Sequence, residues 1–192
     1  MIPAREECFE LIRKYEMFPH IVRHTRVVTD VALFIAHKLN DSGQHLDIAL
    51  VEAGALLHDI TKTISITTGE DHAQTGYELI ASLGYPEVAD IVRQHVRLGP
   101  VKYDPDVVTE AELVNYADKR VKHDKVVSLK DRFTDIRKRY KNKFAGLRVP
   151  FDVIEQETQV LEKKIFSKID ISPEEINRIF SESGSGKEAR FF

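Results

Sequence analysis

Between Leu56 and Lys62 the sequence reads Leu-Leu-His-Asp-Ile-Thr-Lys, so a hydrophobic run ends directly on His58 and Asp59. A carboxylate at the end of an apolar helix is costly to bury unless a cation or several hydrogen bonds compensate it. Its neighbours therefore matter. Projected at about 100° per residue, the segment after Pro19 presents Ile21, Thr25, Val28, Ala32, Ile35 and Leu39 on one face, with His24 near the centre of that stripe. By the same projection His72 aligns with Gly76, Leu79, Ile80 and Leu83, and His95 aligns with Val88, Ile91 and Val92. Asp118 lies on the apolar side formed by Val114 and Val121. Four imidazoles and two carboxylates thus face the interior or cap helices. Each one alone reads as a hydrogen-bonded core histidine, a cap or an ion-pair partner; as a group they read equally as a metal centre, because helical bundles build such centres from converging side chains. The nitrogen and oxygen donors suit iron, manganese, cobalt or zinc.

The elements that must position these residues are helical almost throughout. Apolar spacing predicts helices over 4–15, 19–39, 46–57, 72–83, 86–96, 110–121, 124–144, 151–168 and 173–180, and no alternating run argues for a sheet. Ser172, Pro173 and Glu175 form a capping-box start, and Gly84 followed by Pro86 closes one helix and opens the next. The fold class expected is all-α. Residues 1–180 are expected to form one domain, with a core at about 19–121 and a C-terminal helical extension at about 122–180. Residues 181–192, which include Ser-Gly-Ser-Gly, read as a flexible tail.

Composition narrows the function classes. The chain has 192 residues, of which 42% are hydrophobic and 31% charged, enough apolar content for a substantial core and too much for disorder. No stretch reaches the length of apolar sequence that a membrane-spanning helix needs, and the opening ten residues carry Arg5, Glu6, Glu7 and Glu10. The single cysteine, Cys8, allows no internal disulfide. A cytoplasmic location without membrane attachment is expected, and a homodimer stays open.

The ordered set His24, His58-Asp59 and Asp118 resembles the His...His-Asp...Asp signature of the HD superfamily of metal-dependent phosphohydrolases. His72 and His95 fall where its dinuclear members carry two extra histidines. His58-Asp59-Ile60-Thr61-Lys62 is similar to the His-Asp-Ile-Gly-Lys form of the doublet, with Thr61 in place of glycine. The resemblance implies a helical HD bundle with additional C-terminal helices. It implies one ion held by His24, His58, Asp59 and Asp118, and a second held by a bridging Asp59 with His72 and His95. Two divalent ions, iron or manganese first, with cobalt, nickel, zinc or magnesium as alternatives, would then activate water against a phosphate ester or anhydride. Asp59 and Lys62 are the catalytic residues expected. Lys62, one turn beyond Asp59, matches the family lysine that contacts a phosphate oxygen, with Lys119 and Arg120 as further substrate-binding cations. The substrate expected is a small phosphorylated compound, plausible classes being nucleotides and dinucleotides.

Several other features read as structural. Gly84-Tyr85-Pro86 spells the triplet of the HD-GYP cyclic-dinucleotide phosphodiesterases but precedes a single histidine, so a helix stop and restart is expected instead. His37 and His45 read as surface residues, and His123 as a helix boundary. His20, one turn before His24, is an alternative to it. From Lys119 to Arg148 there are 12 basic and 3 acidic residues. That run reads as a solvated face before an anion-attracting wall, and nucleic acid is the least favoured partner. Two other functions stay open: a di-iron oxygenase on the same ligands, and a non-catalytic metal-binding module with a basic partner-binding helix.

Overall fold

The computed structural model describes residues 1–99, 104–140 and 151–182. In chain order these form α1 (Arg5–Lys14), α2 (Pro19–Asp41), α3 (Ile48–Leu57), α4 (Lys62–Thr68), α5 (His72–Ser82) and α6 (Pro86–Gln94). There follow α7 (Glu110–Lys119), the strands β1 (Val121–Lys122) and β2 (Lys125–Val126), α8 (Leu129–Tyr140), α9 (Phe151–Phe166) and α10 (Pro173–Glu182). The molecule is a helical bundle with extra C-terminal helices, as expected. No helix among the described residues is long and apolar enough to cross a membrane.

Two apolar clusters organise the packing. One gathers Val28, Val31, Ile35 and Leu39 of α2 with Leu113, Tyr116 and Ala117 of α7, Phe133 of α8, Leu161 and Ile165 of α9, and Ile176 of α10. The other gathers Cys8, Leu11 and Ile12 of α1 with Leu56 and Leu57 of α3, Ile80 of α5, and Val88 and Val92 of α6. Helix α3 runs between them and packs on α1, α2, α6 and α7. Its end therefore arrives at the middle of the bundle.

Close approach of helices depends on two missing side chains. A Cβ on Gly54 of α3 would lie 2.7 Å from Ile91 Cγ2 of α6, and a Cβ on Gly76 of α5 would lie 2.8 Å from Val92 Cγ1 of α6. These contacts draw the ends of α3, α5 and α6 together.

Helix ends follow ordinary capping chemistry. Asp47 and Asp71 cap α3 and α5 by accepting from Leu50 N and Ala73 N. Thr109 and Glu112 close a reciprocal capping box on α7, and Ser172 with Glu175 does the same before α10. Gly84, at φ 92°, ends α5 before Pro86 starts α6, which is the stop and restart read from the sequence.

Three segments differ from expectation. Helix α4 was not foreseen, because Thr-Ile-Ser-Ile-Thr-Thr is rich in β-branched residues of modest helix propensity. The helix expected from 124 instead starts at Leu129. Before it, Val121 pairs with Val126 and Lys122 with Lys125 in an antiparallel hairpin turned by His123, at φ 56°. Helix α10 continues through 182, into the segment read as tail. Residues 141–144, expected as helix, and 183–192, expected as tail, lie outside the described residues.

Asp30, half-buried on α2, yields a pH-dependent prediction. Burial raises its carboxyl from 3.8 to about 6, outweighing the attraction of Arg5 and Arg26. Between those values the folded chain binds the proton more tightly than the unfolded one, so stability falls as pH rises through them. Asp30→Asn is expected to stabilise the protein by about 1 kcal/mol at pH 7.5, a figure reduced for solvent screening. Urea midpoints should show that gain shrinking toward pH 4.

Candidate metal centre

Helix α3 delivers His58 and Asp59 to the bundle interior with 0% and 1% of their surface exposed. The turn that follows is held by Ile60 N donating to Leu57 O and Lys62 N donating to Asp59 O, both at 3.0 Å. Thr61 then fastens α5 beside it: its hydroxyl donates to His72 O at 2.9 Å and meets Thr75 Oγ1 at 2.9 Å. A Cβ on Gly76 would stand 3.4 Å from that hydroxyl, so the glycine leaves room for a threonine where the resemblance has glycine.

The six residues singled out by the sequence converge as two clusters. His24, His58 and Asp118 form one, and Asp59, His72 and His95 form the other. His24 Nε2 lies 3.0 Å from Asp118 Oδ1, and His58 Nε2 lies 3.9 Å from the same oxygen. Asp59 Oδ1 is 3.3 Å from His72 Nε2 and 3.4 Å from His95 Nε2, while Asp59 Oδ2 is 3.4 Å from His58 Nε2. Asp59 therefore joins the two groups through its two oxygens. His20, in contrast, is exposed and lies against Phe18, and His45 is exposed.

These donors fit metal ions on three counts. First, His58 Nε2 and Asp59 Oδ1 are buried with no hydrogen-bond partner among the described residues. Orphaned atoms of this kind are rare unless a ligand or ion completes them. Second, donors about 2.1 Å from an ion stand about 3.0 to 3.4 Å apart around it, which is the spacing of most of these pairs. Third, three rings are turned the right way by backbone carbonyls. The Nδ1 of His58 faces Ala55 O at 2.7 Å, that of His95 faces Val92 O at 2.6 Å, and that of His24 faces His123 O at 2.8 Å. Donation from Nδ1 leaves the Nε2 lone pair for a metal.

Electrostatics agree with that reading. Burial holds His95 down to about 4, so it stays neutral as a ligand must. Burial opposes ionisation of Asp59, but the charges of Lys62 and His58 outweigh it and keep the carboxyl well below its usual range. Burial likewise opposes ionisation of Asp118, and the hydrogen bond from His24 with the charges of Arg132 and Lys119 overcomes it. Burial also disfavours the His58 imidazolium, yet Asp59 and Asp118 raise its pKa. A bound cation would take the place of that proton.

The remaining expected residues divide. Lys62 Nζ sits 2.7 Å from Asp59 Oδ2 with a third of its side chain open to solvent, beside the partly exposed His72. Lys62 and His72 are more open to solvent than the other residues of the centre. Lys119 is buried behind the centre, donating to His95 O at 2.8 Å and Asn115 O at 3.3 Å. Arg120 is not brought to the site. Its guanidinium reaches Val127 O, Tyr116 Oη, Glu162, Pro173 O and Asn177 Oδ1, joining α7 to the hairpin, α9 and α10. Position explains the difference, since Arg120 is about 200° around from Asp118. Other charges of the basic run are also engaged internally: Lys122 and Arg139 with Asp135, and Arg137 with Asp152 and Glu155.

Sequence reasoning missed three contributors. Asn115, one turn before Asp118 on α7, donates to Gln94 O and His95 O, and its spacing was a readable signal. Arg132 approaches Asp118 from α8, adjacent to the core residue Phe133. His123 contributes its carbonyl rather than its ring, which no side-chain pattern announces. Because the left-handed backbone there is strained for a side chain, His123→Gly should retain metal binding and gain up to about 1 kcal/mol. His123→Val should lose about 1–2 kcal/mol and weaken metal binding about tenfold by displacing the carbonyl; titration calorimetry and thermal melts check both.

Residues 21–122 match the HD domain family. The chain belongs to the HD domain family. Among the relatives of this HD protein, the tRNA (cytidine(56)-2'-O)-methyltransferase of Thermoplasma volcanium is 32% identical over 152 residues, 72% of this chain and 43% of that protein. An uncharacterized protein of Methanocaldococcus jannaschii is 30% identical over 126 residues, 56% of this chain and 73% of that one. The chain thus spans less than half the length of the methyltransferase relative. A crystal structure described as a predicted HD superfamily hydrolase, from an uncultured Thermotogales bacterium, superposes with a TM-score of 0.50 over 95% of both chains at 21% identity, a likeness of fold. An HD fold that gathers two neighbouring His/Asp clusters supports metal-dependent phosphohydrolase chemistry in general.

Proposed function

We propose that this HD protein hydrolyses a phosphate ester or anhydride of a small phosphorylated molecule, a nucleotide or dinucleotide being the leading class, at a dinuclear centre. The observation that carries this reading is the junction at Asp59, whose two oxygens face different histidine clusters while His58 Nε2 and Asp59 Oδ1 have no hydrogen-bond partner among the described residues. His24, His58 and Asp118 would hold one ion, and His72 and His95 the other, with Asp59 shared. Iron or manganese is the leading choice among the ions these donors accept. When bound, the two ions supply an acidified water and positive charge for the transferring phosphoryl group.

The chain's own residues do the rest. Burial of His58 and His95 keeps bulk water from the floor of the centre, so entry is from the His72 and Lys62 side. There the Lys62 ammonium, oriented by Asp59, is placed to donate to a phosphate oxygen. Lys119 and Asn115 pin the carbonyl of His95 and so fix the start of its ring.

The tRNA named for the Thermoplasma relative favours a second reading, in which RNA carries the phosphate. A screen of protein reconstituted with iron(II), manganese, cobalt or zinc decides between them. Nucleotides, dinucleotides and short phosphorylated RNAs should be tested for release of orthophosphate or of the nucleotides that cleavage leaves, with oxygen uptake monitored. Release without oxygen consumption supports the proposal, and the preferred compound identifies the carrier. Substrate loss coupled to oxygen uptake would instead establish an oxygenase. Bound metal without turnover, together with salt-sensitive nucleic-acid binding, would leave a non-catalytic module.

A further inference from the structure

Arg132 stands out among the buried cations because, among the described residues, no group lies within hydrogen-bond length of its guanidinium. It lies on α8 with 8% of its surface exposed. One terminal nitrogen is 3.7 Å from Asp118 Oδ1 and the other is 3.9 Å from Asp135 Oδ2, both beyond hydrogen-bond length. Its Nε is buried and has no partner among the described residues. Burying a guanidinium is expensive unless its donors are satisfied, and Arg132, beside the candidate centre, has donors left to offer a ligand.

Two neighbours indicate which ligand. Asp118 Oδ1 already faces His24 at 3.0 Å, so holding that carboxylate does not require Arg132 at hydrogen-bond range. Lys62 occupies the equivalent place on the other aspartate, at Asp59 Oδ2. Each acidic residue of the centre is thus faced by one cation from a different helix. Asp118 and Arg132 also keep about a tenth of their side-chain surface open, whereas His58 keeps none.

We propose that Arg132 is a substrate-binding residue that takes an oxygen of a phosphoryl group at the Asp118 end of the centre, across from Lys62 at the Asp59 end. The planar fork of donors suits a tetrahedral oxyanion better than the point charge of a lysine. This inference rests on the phosphohydrolase reading, and its test separates the two.

The probe is orthophosphate, titrated calorimetrically into metal-loaded full-length protein, with metal content and thermal midpoint measured on the same samples. Arg132→Gln is expected to weaken phosphate binding at least tenfold while retaining the wild-type metal content, and Arg132→Lys to fall between. Phosphate affinity within twofold of wild type in Arg132→Gln overturns the proposal, as does loss of metal in parallel with phosphate, which would make Arg132 an organiser of Asp118. If the glutamine variant does not fold, the lysine variant decides on the same readings. Should metal-loaded wild type bind no phosphate, the phosphohydrolase reading falls and Arg132 with it. Should only the variants be indifferent, the reading stands and the role of Arg132 alone is refuted.

Discussion

Alanine in place of Asp59 is expected to strip the centre of metal and lower hydrolysis by about 10³-fold or more, equivalent to about 4 kcal/mol of transition-state stabilisation. The effect is large because one side chain serves both clusters: Oδ1 faces His72 and His95, and Oδ2 faces His58 and Lys62. Loss of a ligand at the edge, as in His72→Ala, leaves the His24, His58 and Asp118 group intact and should spare one ion. Asp59→Asn distinguishes charge from shape, since it fills the same space without the second anionic oxygen; it should behave like the alanine variant. Metal analysis and phosphate release measure these effects, with helical circular dichroism confirming the fold. The exposed His45 gives the control, and His45→Ala should keep full metal content.

Arg120→Ala should have the largest effect on stability, about 3–5 kcal/mol, with little effect on phosphate affinity in the protein that remains folded. Arg120 is 1% exposed and its charge is balanced by Glu162. Removing it strands the carbonyls of Val127 and Pro173, which accept from it at 2.8 and 2.9 Å, and leaves Glu162 without its cation. Chemical unfolding should show the loss, and calorimetry with orthophosphate should show unchanged binding. A stable variant with weakened phosphate binding would return Arg120 to the role suggested by its place beside Asp118 in the sequence.

The contrast between Asp59 and Arg120 shows what was legible. Helical projection placed His24, His72, His95 and Asp118 inward because each sits among apolar residues at the helical repeat, and the bundle brings them together at the end of α3. The same projection turns Arg120 away from Asp118, so adjacency in sequence was the weaker guide. Arg132 was hidden for another reason: its value lies in reaching across from α8, and only the hairpin Val121–Val126 determines where α8 begins. That hairpin turns on one left-handed residue, His123, which the sequence marks as a helix boundary without showing that the break is a pair of strands. Helix α4 was equally illegible, since it exposes Ile64 and Ile66 and has no buried residues to produce a helical apolar stripe.

If the two clusters form a dinuclear metal centre, metal per chain in wild-type protein purified without chelator and without air reads it out. Close to two transition-metal ions per chain are expected, either as purified or after reconstitution. No bound ion after exposure to iron(II), manganese, cobalt and zinc would contradict it and leave the six residues as a buried polar network.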